Sequence, residues 1–248
     1  MSDIILNQRQ SPNYDHRPKQ FVVDMLVLHY TGMQDCRSAL ERLCDSQSKV
    51  SAHYLIDEDG ICYQLVSELN RAWHAGRSSW KNETDINSLS IGIELVNPGH
   101  ELGYKDFPEQ QLLSLEHLIF DIKTRYKIPN HRILGHSDVA PLRKKDPGEL
   151  FSWHRLFLKG IGIWPKKTHS STMGAIDPTS RLTYSNVEDI QNQLALFGYQ
   201  VNKTGIYDLS TKKVVESFQR HFRPARVDGI FDNESSSRLN DLLCQVKE

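Results

Sequence analysis

The sequence carries no excess charge of either sign. Its 30 lysines and arginines nearly balance 31 aspartates and glutamates, and the formal net charge is -1. Nucleic acids and anionic membranes normally bind proteins through a basic surface. We therefore expect no nucleic-acid partner and no charge-driven attachment to a membrane.

Long hydrophobic runs are also missing. No apolar stretch approaches the length of about 20 residues that a membrane-spanning helix needs. The opening residues, MSDIILNQRQSPNYDHRP, lack a basic region followed by an apolar one, so no signal peptide is visible. As written, the sequence predicts a cytoplasmic protein, and the cell envelope stays open as a location if a signal has been removed.

Cysteine is scarce, and its placement gives little support to a cysteine-based metal site. The four cysteines, Cys36, Cys44, Cys62 and Cys244, match no zinc-binding spacing. Cys36 and Cys44 lie in DCRSALERLCD, which has the pattern of a helix. Eight helical residues would separate them by about 12 Å, which is farther than a disulfide reaches. We expect reduced cysteines with a structural role.

Short apolar runs alternate with helical patterns in the first two thirds of the chain. Strand-like runs occur at 21–31, at 88–95 and at 131–136, and a hairpin pattern surrounds Asp-Gly in 53–66. The clearest amphipathic helix spans 106–126, with apolar residues at alternating three- and four-residue steps. This order predicts an α/β domain in which a mixed β-sheet is flanked by helices.

The composition changes after this part of the chain. We expect an α/β domain over 1–165, a polar linker over 166–182 and a small three-helix domain over 183–248. The last domain repeats the pattern Gly-Ile-aromatic-Asp within 204–219 and 228–243, each time before a helical stretch. Glycine permits a tight turn, and aspartate caps a helix. A compact unit without a cluster of reactive side chains is more typical of a binding module than of an enzyme.

Three polar residues end strand-like runs. They are His29 in MLVLHYT, Glu94 in IGIEL and His136 in RILGH. In α/β folds, ligands bind at the carboxyl ends of the strands. We therefore expect these three side chains to converge on one site.

Two histidines and one carboxylate would form a zinc site with one position left open for water. Asp138, Asp146 and Glu94 compete for the third ligand position. Asp138 is disfavoured because it lies only two residues after His136. With Asp146 as the ligand, Glu94 would be free to act as a general base.

Lys144 lies two residues before Asp146 and could face the same site. Its ammonium group could stabilise negative charge that develops on a carbonyl oxygen. Considered without its neighbours, the lysine is more simply explained as a solvated loop charge.

The segments VLHYTGM, AWHAG, IGIELVNPG, GHSDVAP and K-x-D-P-G follow one another in this order. Together, over about residues 10–165, they resemble the zinc-dependent N-acetylmuramoyl-L-alanine amidases of the type-2 group, which includes AmpD-like and AmiD-like enzymes and the peptidoglycan recognition proteins. The resemblance implies a zinc enzyme that cleaves the amide between the lactyl group of N-acetylmuramic acid and L-alanine. Residues 187–232 resemble the peptidoglycan-binding type-1 domain.

Carried over by position, the resemblance makes His29, His136 and Asp146 the zinc ligands and Glu94 the catalytic glutamate. Lys144 corresponds to the lysine that polarises the carbonyl group or stabilises the tetrahedral intermediate. The stretch around AWHAG lines the substrate groove in such enzymes. It suggests Arg71, Trp73 and His74 as substrate contacts, with Asn97 as a weaker candidate.

Two other functions stay open for this sequence. One is a non-catalytic recognition protein, although such relatives typically lack a zinc ligand that this sequence has. The other is a zinc hydrolase that cuts a different bond, within the stem peptide. The expected partner is peptidoglycan or a muropeptide. The tail favours the polymer, whereas the missing signal favours soluble fragments.

Overall fold

The computed structural model describes residues 6–166 and 184–246. The predicted linker, 166–182, falls outside these ranges except for its first residue. The strands are β1 (Leu6–Gln8), β2 (Tyr14–His16), β3 (Met25–Tyr30), β4 (Tyr54–Ile56), β5 (Cys62–Gln64), β6 (Asn70–Ala72), β7 (Ser90–Leu95) and β8 (Ile133–Gly135). The helices are α1 (Cys36–Cys44), α2 (Ile86–Leu89), α3 (Gly99–Leu102), α4 (Glu109–Arg125), α5 (His136–Val139), α6 (Trp153–Leu158), α7 (Tyr184–Phe197), α8 (Leu209–Phe222) and α9 (Asn233–Gln245).

Six strands form one mixed sheet in the order β1-β5-β4-β7-β3-β8. Strands β4, β7, β3 and β8 run parallel, whereas β5 is antiparallel to β4 and closes the predicted hairpin. Strands β2 and β6 form a separate antiparallel pair. The predicted class, a mixed sheet flanked by helices, is confirmed. Because β3, β7 and β8 are parallel, their carboxyl ends share one edge.

Successive residues of the central strand β3 face two different hydrophobic clusters. Leu26 and Leu28 pack in the cluster that includes the apolar face of α4. Met25 and Val27 pack in a second cluster, which includes apolar residues of α7, α8 and α9. Successive residues of a strand point to opposite sides of the sheet. One face of the sheet therefore packs with α4, and the other face belongs to a hydrophobic cluster that continues into the C-terminal helices.

A buried glutamine joins α4 to the sheet. The Nε2 atom of Gln111 donates hydrogen bonds to the carbonyl oxygens of Ile56 and Val96, both at 3.0 Å. Ile56 ends β4 and Val96 follows β7, so one side chain ties the helix to two neighbouring strands. The predicted amphipathic helix at 106–126 is present from Glu109, since Pro108 stands just before its first turn.

The two repeated segments of the tail form equivalent turns. Gly205 and Gly229 both have left-handed backbone angles, with φ of 66° and 70°. Asp208 and Asp232 cap α8 and α9 by accepting hydrogen bonds from the backbone three residues further on. The glycines thus form tight turns and the aspartates cap helices, as the repeat predicts.

Each turn is completed by a buried glutamine that the repeat pattern did not reveal. Gln191 accepts a hydrogen bond from the first turn's glycine and donates one to its isoleucine carbonyl. Gln219 makes the same pair of bonds in the second turn. After α7, the tail thus consists of two copies of one turn-helix unit.

Two expectations drawn from composition can be compared with this fold. All four cysteines are free, as expected for Cys36 and Cys44 at opposite ends of one helix. Within 6–166 and 184–246, no helix combines the length and apolar character needed to cross a bilayer.

Replacing Gln111 with leucine should lower the free energy of unfolding by about 2 kcal/mol, because two buried carbonyl groups lose a donor. Urea denaturation followed by circular dichroism measures the change. Leu113 lies on the exposed side of the same helix, and Leu113→Gln should change stability by less than about 0.5 kcal/mol. Equal stabilities for the two variants would contradict this role of Gln111.

Candidate active site and metal centre

The shared edge of β3, β7 and β8 brings three polar side chains together. His29 and Glu94 are directly paired in the register of β3 and β7. His136 follows the last residue of β8 and is the first residue of α5. The topology thus places the three strand-end residues at one location.

Three donor atoms face one another at this edge. The Nδ1 atoms of His29 and His136 are 2.9 Å apart, and Asp146 Oδ2 lies 3.1 Å from the first and 3.0 Å from the second. All three side chains are buried. The backbone N–H of Ser137 donates to the carbonyl oxygen of Asp146 at 2.9 Å. This bond folds the loop back and brings the aspartate beside the histidines.

Asp138 takes no part in this triad, but the reason differs from the one the sequence suggested. Residues 136–139 form a short helix and not an extended strand, so closeness to His136 along the chain does not by itself exclude Asp138. The carboxylate of Asp138 turns back to accept a hydrogen bond from the backbone N–H of Gly135 at 2.8 Å. It caps the turn that carries His136.

The charge states of the triad suit a metal ion. Burial, together with the neighbouring His136, lowers the pKa of His29 to about 4, so this imidazole is neutral at pH 7. Burial alone would raise the pKa of Asp146, but the charge and hydrogen bonds of the two histidines hold it well below its usual range. A neutral imidazole and a carboxylate are the forms in which these residues bind metals. The triad therefore fits a divalent metal ion.

A chain of hydrogen bonds behind the triad sets which nitrogen of His29 is free. His29 Nε2 lies 3.1 Å from His74 Nδ1, and His74 Nε2 lies 3.1 Å from Ser90 Oγ. Ser90 Oγ donates to the carbonyl oxygen of Ile86 at 2.6 Å. Because a carbonyl can only accept, we infer that every proton in the chain points away from His29. Its Nδ1 lone pair is left for a metal.

The second histidine ligand is oriented in the same manner. His136 Nε2 lies 3.0 Å from the carbonyl oxygen of Ala75, so this nitrogen carries the proton and Nδ1 does not. The guanidinium of Arg143 also donates to the carbonyl oxygens of Ala75 and Arg77. Arg143 thereby fastens the AWHAG segment against the metal site.

A glycine in β7 makes room for His74. A Cβ atom added at Gly92 would overlap the imidazole ring of His74. Gly92 stands between Ile91 and Ile93, both fully buried. The glycine of IGIEL is therefore required by the histidine that packs on it, and no local pattern in the sequence signals this contact.

The carboxyl group of Glu94 lines a cavity of about 150 Å³ beside the triad. Its Oε2 atom is covered and has no hydrogen-bond partner in the part of the chain that the structure describes. Burial and the nearby Asp146 raise the pKa of Glu94 well above its usual range, and Lys144 partly opposes this. A carboxyl group with a raised pKa can take up and return a proton near neutral pH.

Lys144 is half-buried and lines the same cavity. No hydrogen bond or ion pair to its ammonium group exists within the described ranges. A cation without a partner beside a carboxyl group and a metal triad is available to a negatively charged species.

The structure places two of the four suggested substrate contacts at the cavity. Trp73 lines it, and its indole nitrogen donates to Asp15 at 2.7 Å. His74 also borders the cavity, but its two ring nitrogens are used by His29 and Ser90. Its position supports the metal triad more directly than it reaches a substrate.

The other two suggested contacts are bound by protein groups. Arg71 forms ion pairs with Asp15 and Asp85, each at 2.9 Å. Asn97 is fully buried, and its side-chain nitrogen donates to the carbonyl oxygen of Lys105 at 2.8 Å. Neither lies among the residues that line the cavity beside the triad.

Comparison with known families gives two matches along the chain. The N-acetylmuramoyl-L-alanine amidase family matches residues 18–149. A family of peptidoglycan binding domains matches residues 183–239. The three triad residues, together with Glu94 and Lys144, fall in the first match.

Among individual proteins, the chain is similar to N-acetylmuramoyl-L-alanine amidase AmiD of Escherichia coli K12. The two are 37% identical over 235 residues, which cover 89% of this chain and 82% of AmiD. The chain is also 35% identical over 166 residues to 1,6-anhydro-N-acetylmuramyl-L-alanine amidase AmpD of Haemophilus influenzae. That match covers 60% of this chain and 88% of AmpD.

Two similar solved structures contain muropeptide ligands. AmiD from E. coli in complex with the substrate anhydro-N-acetylmuramic acid-L-Ala-D-gamma-Glu-L-Lys has a TM-score of 0.76 at 33% identity, covering 96% of this chain and 93% of that one. AmpDH3 from Pseudomonas aeruginosa in complex with anhydromuramic pentapeptide has a TM-score of 0.76 at 30% identity, covering 96% of both chains. The similarity therefore includes the sheet and the tail.

Replacing His74 with phenylalanine should weaken metal binding by roughly 10–100-fold, because the hydrogen bond that orients a ligand is lost. Competition with a chromophoric chelator measures the affinity. Trp73→Phe is the matched control and should leave metal affinity unchanged, since the indole lies at the cavity without touching a ligand. If His74→Phe altered only substrate affinity, His74 would be a substrate contact after all.

Proposed function

Because the chain belongs to the N-acetylmuramoyl-L-alanine amidase family, we propose that it is a zinc-dependent amidase. Its substrate bond is the amide between the lactyl group of N-acetylmuramic acid and the L-alanine of the stem peptide. One observation carries the proposal. The buried triad of His29, His136 and Asp146 lies beside a cavity that also holds the carboxyl group of Glu94, whose Oε2 atom has no hydrogen-bond partner among the described residues.

Zinc is the ion that best suits these donors. Two imidazole nitrogens and one carboxylate form a recurrent catalytic zinc set, which leaves a position for water or substrate. A zinc ion held there would polarise a carbonyl oxygen and make water easier to deprotonate. A complete ligand set beside a glutamate also argues against the alternative of a recognition protein without activity.

Glu94 is the proposed general base and acid. No group in the described part of the chain forms a competing hydrogen bond with its Oε2 atom, so the carboxyl group can accept a proton from a water molecule in the cavity. The raised pKa keeps that proton on the carboxyl group until the amide nitrogen departs. The same group then protonates the leaving L-alanine nitrogen, so that one residue acts first as general base and then as general acid.

Lys144 is the proposed stabiliser of the oxyanion. Its ammonium group faces the cavity and has no partner within the described part of the chain. Negative charge develops on the carbonyl oxygen only as the transition state forms. A cation already in place beside that oxygen lowers the barrier without prior rearrangement.

We propose soluble muropeptides as substrates, including anhydro forms such as those in the AmiD and AmpDH3 complexes. We propose a catalytic part over 1–165, a connection over 166–182 and a peptidoglycan-binding part over 183–248, a division supported by the family matches over 18–149 and 183–239. Through the second part, polymeric peptidoglycan is a further substrate of the same site.

The proposed function is tested by identifying the products of muropeptide cleavage. Incubation with a zinc-loaded preparation should release a peptide that begins with L-alanine and a sugar with a free lactyl carboxylate. Mass spectrometry distinguishes these from fragments cut within the stem peptide. Release of a peptide lacking L-alanine would contradict the proposed bond, and no release at all would favour a recognition protein.

Glu94→Gln should reduce kcat by about 10³-fold while zinc binding persists, because an amide cannot take up the proton. Metal content by atomic emission and turnover of a muropeptide measure the two effects. Asp146→Ala is the contrasting variant and should lose zinc together with activity, since it removes a ligand. Near-native turnover by Glu94→Gln would rule out this base.

A further inference from the structure

Asp138 is a buried carboxylate that connects the metal-binding turn with the C-terminal domain. Its Oδ2 atom accepts from the backbone N–H of Gly135 at 2.8 Å and from His221 Nδ1 at 2.7 Å. Its Oδ1 atom accepts from the hydroxyl of Tyr199 at 2.6 Å. Two of the three donors therefore come from outside the domain that contains the metal triad.

Both donors are held firmly by their own surroundings. The ring of His221 lies between those of Trp153 and Phe222, with centroids 3.7 Å and 3.9 Å away and nearly parallel planes. Tyr199 is buried and packs edge-on against Trp80 with a centroid distance of 5.0 Å. Neither side chain can leave Asp138 without opening this packed interface.

The turn that Asp138 supports carries one metal ligand and positions another. Helix α5 has four residues and begins with His136. A helix this short is not stable on its own backbone bonds. The carboxylate of Asp138 closes its first turn, and Ser137 in that turn holds the backbone of Asp146. A shift of this turn would move two of the three donor atoms.

We propose that Tyr199 and His221, in the C-terminal domain, are positioning residues for the metal centre. They hold Asp138 in one orientation, and Asp138 holds the turn that places His136 and Asp146. The tail is then part of the catalytic apparatus, in addition to any role in binding peptidoglycan. This inference rests on the metal centre of the proposed function.

The physical basis is preorganisation of the ligands. A buried carboxylate that loses a donor seeks another and turns or draws in water. Hydrogen-bonded groups behind metal ligands typically contribute 10–100-fold to metal affinity. Tyr199 and His221 act one step further from the metal, so we expect a loss of about 10-fold when both donors are removed.

The test uses full-length chains with Tyr199→Phe, His221→Phe and both substitutions together. Each phenylalanine keeps the aromatic packing and removes only the donor. The Zn²⁺ dissociation constant is measured by chelator competition at fixed pH. The visible absorption of the Co²⁺-loaded chains reports ligand geometry. We expect zinc affinity about 10-fold weaker in the double variant, with an altered Co²⁺ spectrum and a KM close to that of the parent chain.

Two control variants separate positioning from domain docking. His221→Asn retains an N–H donor near the Nδ1 position and should keep most of the zinc affinity that His221→Phe loses. Lys81→Met removes another contact with the tail, the hydrogen bond from Lys81 Nζ to the carbonyl oxygen of Leu196 at 2.6 Å. This bond does not involve Asp138. The variant should leave both zinc affinity and the Co²⁺ spectrum unchanged.

Each outcome decides between defined alternatives. Unchanged zinc affinity and spectrum in a folded double variant would overturn the proposal, even if its melting temperature fell, because the contacts would then serve docking alone. If the double variant does not fold, Tyr199→Phe alone carries the test, since it removes one hydroxyl group. If the parent chain itself bound no Zn²⁺, or bound it equally after His136→Ala, the proposed metal centre would fail instead.

Discussion

Parallel pairing of β3 with both β7 and β8 places the last residues of three strands at one edge of the sheet. His29 and Glu94 are register partners, and His136 follows β8 directly. No flexible loop has to bring these side chains together, because backbone hydrogen bonds already fix their spacing. A loop beyond them supplies Asp146, and a backbone bond to Ser137 ties that loop to the same edge.

Burial then decides what each polar group can do. Removing a histidine or a carboxyl group from water favours its neutral form unless a partner compensates. His29 becomes neutral, Asp146 stays charged because two histidines face it, and Glu94 Oε2 has no hydrogen-bond partner within 6–166 and 184–246. The pKa values of two carboxyl groups in one site are therefore shifted in opposite directions for a structural reason. One suits a metal ligand and the other a proton carrier.

Local patterns were enough to predict the strands, the helix α4 and the polar residues at strand ends. They could not predict contacts between distant segments. His74 was assigned to the substrate by position, yet its nitrogens are taken by His29 and Ser90. Arg71 was assigned in the same way, but its carboxylate partners come from other segments of the chain. Such contacts depend on the assembled fold, and the spacing of residues along the sequence does not reveal them.

The apolar run at 21–31 already implied two covering layers. A strand whose residues are hydrophobic on both sides must be buried on both faces of its sheet. Helix α4 shares one cluster with Leu26 and Leu28, and the C-terminal helices belong to the same cluster as Met25 and Val27. The amino-terminal part thus shares its second hydrophobic core with the tail. Because residues of the tail and of β3 belong to one hydrophobic cluster, the packing of the tail is coupled to a strand that carries a metal ligand.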